Sequence, residues 1–157
     1  MKEIAILMAA GLGSRMRPLT EHTPKPLIKV HGKPMIETVI EGLLGRPVEA
    51  IYIVTGYLGE QFKPLCEKYP QVQILHNGEY NEKNNISSIH AAREVLGTAD
   101  CFICECDLYV TDSSVFRKNL QHSCYYGRME KGYSADWVFE LQDGFISRVG
   151  KGGRDTY

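Results

Sequence analysis

Apolar runs and amphipathic stretches take turns along the first 120 residues of the chain. Residues 3–9 (EIAILMA), 48–54 (VEAIYIV), 72–77 (VQILHN) and 101–108 (CFICECDL) are short and nearly continuous in apolar character, the pattern of strands buried on both faces of a parallel sheet. Helical stripes separate them. Residues 34–45 place Ile36, Val39, Ile40, Leu43 and Leu44 on one side, with Pro34 suited to the first turn and Gly45 to the end. Residues 58–69 read as a helix strained or shifted by Pro64. Residues 84–97 read as a helix capped by Asn84 or Asn85, striped by Ile86, Ile89, Ala92 or Arg93, and Leu96, and closed by Gly97. Asp112 and Ser113 can cap a further short helix reaching Leu120.

The order βαβαβαβα predicts an α/β fold: a single-domain three-layer α/β/α arrangement around a mostly parallel mixed sheet. Beyond residue 122 the pattern changes. Residues 123–129, 133–142 and 144–149 read as short antiparallel strands, the last two joined at Asp143 and Gly144, which supply hairpin turn chemistry. No repeat, charge block or long linker interrupts the chain, so residues 1–157 are expected to form one domain.

Composition narrows the function classes. Lysine and arginine number 18 against 19 acidic residues, so a net charge of −1 gives no long-range field for nucleic acid or a membrane surface. Basic groups must act locally. The apolar stretch at residues 4–10 is too short to span a membrane and lacks a signal-peptide cleavage pattern, which predicts a cytoplasmic protein. Five cysteines, an odd number, then read as reduced thiols. CFICEC contains a CxxC spacing, but no second Cys or His pair stands at zinc-like spacing. It reads as a buried strand with Cys104 and Cys106 on one face and Cys101 on the other.

The candidate chemistry lies in residues 11–27, GLGSRMRPLTEHTPKPL, directly after the first strand. In open α/β sheets ligands sit beyond the carboxyl ends of the strands, and glycines let the backbone turn several N–H groups toward an anion. Two standard phosphate motifs fail here. A dinucleotide fingerprint needs a third glycine where Met16 stands, and the lysine and hydroxyl of a Walker loop are missing. A plain glycine turn accounts for Gly11 and Gly13 but not for Arg15, Arg17 and Lys25 gathered in one loop, for which a polyphosphate is the natural counter-ion.

Residues 7–37, LMAAGLGSRMRPLTEHTPKPLIKVHGKPMIE, resemble the nucleoside-triphosphate transferase signature of nucleotidyltransferases with a GT-A-like fold. YNEKNNISSIHAAREVL further resembles the bacterial phosphocholine cytidylyltransferases, where an asparagine-rich lead into a helix replaces the glycine-threonine segment of the sugar enzymes. The resemblance implies transfer of CMP from CTP to phosphocholine with release of pyrophosphate, and magnesium as the cofactor. It assigns nucleotide binding to the backbone of Ala9, Ala10, Gly11, Leu12 and Gly13, the leaving phosphates to Arg15, and charge neutralisation at the reacting phosphates to Lys25. Asp107, at the end of the fourth strand, matches the family's first metal aspartate; its alternative reading is a turn cap, and Glu105 points to the face opposite Cys106. Trp137 matches an aromatic residue around the choline cation, or is a core tryptophan. Asn77, Asn85 and Ser88 are candidates for the base and ribose, or with Asn84 serve only to cap the helix and shape the preceding turn.

Whole family members carry a second metal carboxylate nearer their C-terminus, and the acids after Asp107 offer no clear equivalent. The chain is therefore expected to be a truncated form whose exposed sheet edge invites homodimer formation. Two other readings stand beside the phosphocholine enzyme: a nucleotidyltransferase for a sugar 1-phosphate or other alcohol phosphate, and a non-catalytic nucleotide-binding fragment.

Overall fold

The structure is a computed structural model that describes residues 2–156. It divides into two compact units, residues 1–118 and 119–157. The first unit is built on a four-stranded sheet of β1 (Glu3–Ala9), β4 (Val48–Thr55), β5 (Val72–His76) and β6 (Asp100–Glu105), in the order β5-β4-β1-β6. All three pairings are parallel. The two central strands are the most apolar, because a strand covered on both faces has no solvent side to keep polar.

Helix α1 (Met35–Leu44) buries Ile36, Val39, Ile40 and Leu43 on one face of the sheet, together with Phe62 and Leu65 of the next crossover. Its predicted stripe and its end at Gly45 are both as expected. A small antiparallel pair, β2 (Lys29–Val30) and β3 (Lys33–Pro34), leads into it. Pro64 sets the start of α2 (Lys63–Lys68) by occupying its first turn, where its missing N–H costs nothing; the preceding residues Gly59–Phe62 turn more tightly as a 3-10 helix.

On the other face, Ile6 and Val54 pack with Ala92, just past α3 (Ile86–Ala91). This helix is shorter than the predicted 84–97. After Ala91 the chain continues in tighter turns to Gly97, whose φ of +79° closes the segment. The helix expected after Asp112 is a 3-10 turn, Ser113–Arg117, with the Asp112 side chain accepting from Ser114 N at 2.9 Å. Cys104 and Cys106 pack on the α1 side of β6 and Cys101 on the other, as alternation requires.

The second unit is a long hairpin, β7 (Glu130–Gln142) and β8 (Phe145–Thr156), turning at Asp143 and Gly144. Among the described residues its strands pair with each other, so the antiparallel part is a separate two-stranded sheet and the four-stranded sheet is purely parallel. The strand predicted at 123–129 does not form. Those residues take no ladder partner, and the Tyr125 ring instead packs edge-on against Phe139 with centroids 4.9 Å apart.

Candidate active site

Parallel strands end on the same side of a sheet, so the turns after β1 and β6 and the residues before α3 come together there. They enclose a cavity of about 250 Å³ lined by the backbone stretch from Ala9 to Gly11, by Gly13, Arg15 and Lys25 of the following loop, by Asn85 and Ser88, and by Glu105 and Asp107. The glycine turn therefore shares one cavity with two carboxylates, Glu105 at the end of β6 and Asp107 just beyond it.

The link across the cavity is an ion pair. Lys25 Nζ donates to Asp107 Oδ2 at 2.5 Å, and both side chains are partly exposed to the cavity. Lys25 stands in the 3-10 turn Lys25–Leu27. Asp107 follows β6, and the chain beyond it is fastened to α1: Thr38, a buried residue, accepts from Val110 N at 2.9 Å while donating to Met35 O at 2.7 Å. Thr38 thus limits the freedom of the loop that carries Asp107.

Arg15 lines the same cavity from the 3-10 turn Ser14–Met16, exposed to solvent. A guanidinium lining such a cavity can fork across two oxygens of an anion. Arg17, its sequence neighbour, does not line the cavity.

Glu105 lines the cavity as well. Alternation turns it away from the buried Cys106, and it lines the cavity together with Asn85 and Ser88. Burial pushes its carboxyl above the ordinary carboxylate value, Asp107 nearby adds to the rise, and Lys25 opposes it. Burial also drives the Cys104 thiol up to about 12 and the Cys106 thiol well above its usual range, so neither thiol supplies a thiolate under the site at neutral pH.

The other predicted residues separate into three groups. Ala9, Ala10, Gly11, Gly13, Asn85 and Ser88 line the cavity, whereas Leu12 does not. Asn77 is 3% exposed and spends its amide inside the protein, donating to Ser87 Oγ at 2.9 Å and Ser88 Oγ at 3.2 Å and accepting from Glu79 N at 3.0 Å. It braces the helix that presents Ser88 and does not itself reach the cavity. Trp137 lies on β7 opposite Lys151 and is 67% exposed.

A glycine turn with cations after the first strand, and an acidic residue after a parallel neighbour, define a nucleotide-binding α/β domain. Residues 5–133 match the MobA-like NTP transferase domain, and the chain belongs to that family. It is 57% identical over 157 residues to a 2-aminoethylphosphonate cytidylyltransferase of Lancefieldella rimae, covering 99% of this chain and 64% of that protein. A choline-phosphate cytidylyltransferase of Streptococcus pneumoniae is 38% identical over 141 residues, which cover 90% of this chain and 60% of the relative. Among solved structures, the CTP:phosphocholine cytidylyltransferase LicC of Streptococcus pneumoniae matches with a TM-score of 0.88 at 36% identity, covering 99% of this chain and 66% of that one. The chain thus spans 60 to 66% of the length of these three relatives.

Proposed function

We propose that this chain carries the nucleotide-activating part of a cytidylyltransferase that joins CMP, taken from CTP, to a small compound bearing a cationic nitrogen and a phosphonate or phosphate group. The observation that carries the reading is the Lys25–Asp107 pair set in one cavity with Ala9, Ala10, Gly11 and Gly13. Of the acceptors, 2-aminoethylphosphonate is put first, supported by the 57% likeness that runs the length of the chain. Phosphocholine is the second reading, favoured by the match to LicC and by the exposed face of Trp137, since a quaternary ammonium is recognised by aromatic faces.

In the reaction an oxygen of the acceptor attacks the α-phosphorus of CTP, a new P–O bond forms, and the α–β bridge breaks to release pyrophosphate. Such transfer depends on positioning and on neutralising charge. The backbone amides after β1 hold the triphosphate, Arg15 forks across the leaving phosphates, and Lys25 brings its charge to the reacting centre. The pairing with Asp107 keeps the Lys25 ammonium at the cavity before substrate arrives.

Asp107 and Glu105 fit a magnesium ion, because both are hard oxygen donors lining one cavity and magnesium needs only one or two carboxylates beside phosphate oxygens and water. When bound it supplies positive charge to the phosphates. The test is pyrophosphate release from CTP and magnesium with 2-aminoethylphosphonate, phosphocholine and glucose 1-phosphate offered in turn. Release is expected with 2-aminoethylphosphonate and with phosphocholine, faster with the phosphonate; release with none of the three, or with glucose 1-phosphate alone, overturns the reading.

A further inference from the structure

We infer that Thr20 is a positioning residue for the triphosphate: it never touches the ligand, and it sets the peptide and the lysine that do. The inference rests on the proposal that the cavity takes the phosphates of CTP. Thr20 is 1% exposed, between the exposed residues Leu19 and Glu21, and it does not line the cavity. Burial of a hydroxyl in such a loop calls for a partner, and the partner is the glycine turn itself.

Thr20 Oγ1 donates to the carbonyl oxygen of Gly13 at 2.9 Å, and Met16 N donates to the same oxygen at 2.9 Å. Both lone-pair directions of that carbonyl are therefore engaged. Because a peptide unit is planar and trans, fixing the Gly13 carbonyl fixes the N–H of Ser14 in the opposite direction. That N–H takes no acceptor among the described residues, and Ser14 lines the cavity. Thr20 thereby holds a backbone donor ready for an anion.

The same side chain also sets the spacing between the turn and Lys25. Gly13 sits at φ +62°, in the left-handed region. A Cβ placed there would meet the Thr20 methyl at 2.9 Å and Lys25 Cβ at 3.2 Å, so the threonine and the base of the lysine stem close on the glycine from one side. One buried threonine therefore couples three parts of the cradle: the glycine turn, the Ser14 amide and the root of Lys25.

The test compares binding of inorganic tripolyphosphate and of cytidine by the unaltered protein, Thr20→Val and Thr20→Ser, using calorimetry. Valine keeps the shape and removes the donor; serine keeps the donor and removes the methyl. Thr20→Val is expected to weaken tripolyphosphate about tenfold, the loss of one hydrogen bond's orienting effect, and to leave cytidine binding within about twofold, while Thr20→Ser restores most of the tripolyphosphate affinity. Equal losses for both ligands, or unchanged tripolyphosphate binding in Thr20→Val, would overturn the positioning role alone. If the unaltered protein binds no tripolyphosphate, the nucleotide reading falls and this one with it. Should Thr20→Val not fold, amide shifts in the unaltered protein decide: the Ser14 N–H is expected to move most on tripolyphosphate addition, and a silent Ser14 rejects the inference.

Discussion

A lysine held by an aspartate has two roles that a single substitution can separate. In the structure Lys25 pairs with Asp107; in the proposed reaction its charge passes to the phosphates of a bound triphosphate, most of all where charge develops in the transition state. Lys25→Ala is therefore expected to lower turnover by roughly a hundredfold or more while CTP affinity falls by less than about tenfold. Parallel measurement of kcat and of CTP binding by calorimetry checks this, and equal losses would assign Lys25 to binding alone. Asp107→Asn keeps the shape and the acceptor but removes the charge. It is expected to abolish magnesium-dependent turnover and to weaken manganese binding measured by electron paramagnetic resonance in the presence of CTP; full retention of both would return Asp107 to a turn-capping role.

Residue types in the glycine loop were readable from sequence because their chemistry is unusual for a bare turn. The partner across the cavity was not. Lys25 and Asp107 are 82 positions apart, and no local pattern joins them; only the family resemblance did. Asn77 shows the opposite case: its amide suits a cytosine as well as it suits two serine hydroxyls, and the choice was made by the packing of α3. Thr20 gave no signal at all, since nothing in a solvent-facing loop marks one threonine as buried.

At the scale of elements, α1 carries the clearest case of packing overriding propensity. Gly42 lies in the interior of this helix, where replacing glycine with alanine ordinarily stabilises by up to about 1 kcal/mol. Here an added methyl would stand 2.6 and 2.7 Å from two atoms of the Phe116 ring, which is itself buried. Gly42→Ala is expected to destabilise by about 1–3 kcal/mol net, measured as a shift in the urea midpoint with unchanged slope. A stabilised variant would mean that Phe116 swings aside freely. The parallel strands and α1 were legible because a continuous apolar run or a clean stripe has one structural outcome. The predicted strand at 123–129 was not, because β propensity records only what a residue tolerates. A strand also needs a neighbour to pair with, and Tyr125 found a ring instead of a ladder.

Across the whole first unit, one side chain ties the ends of the sheet to its flanking segments. Arg46, just past α1, reaches back to both carboxylate oxygens of Glu3 at the start of β1, with Nε at 3.0 Å from Oε2, and forward to the carbonyls of Phe116 and Lys118, each at 2.8 Å. Its guanidinium also lies over the Phe102 ring of β6, 5.2 Å from the centroid. Hydrogen bonds from Arg46 hold the Glu3 carboxyl below its ordinary value of 4.5, against the opposing cost of burial. The unfolded chain therefore binds a proton at Glu3 at a higher pH than the folded one does. This contribution to stability is complete above about pH 4.5 and is lost as pH falls through the lower, folded-state value. Glu3→Gln is expected to be less stable than the parent at pH 7 by about 1–3 kcal/mol, because it strips the charge from a hydrogen-bonded partner of Arg46. Its deficit should shrink as both proteins are acidified below pH 4.5, since protonation removes the same charge from the parent. Urea unfolding of the two proteins at pH 7, 5, 4 and 3 measures the difference directly. A deficit that stays constant across that series would show that Glu3 contributes through shape and packing, with its charge immaterial to the fold.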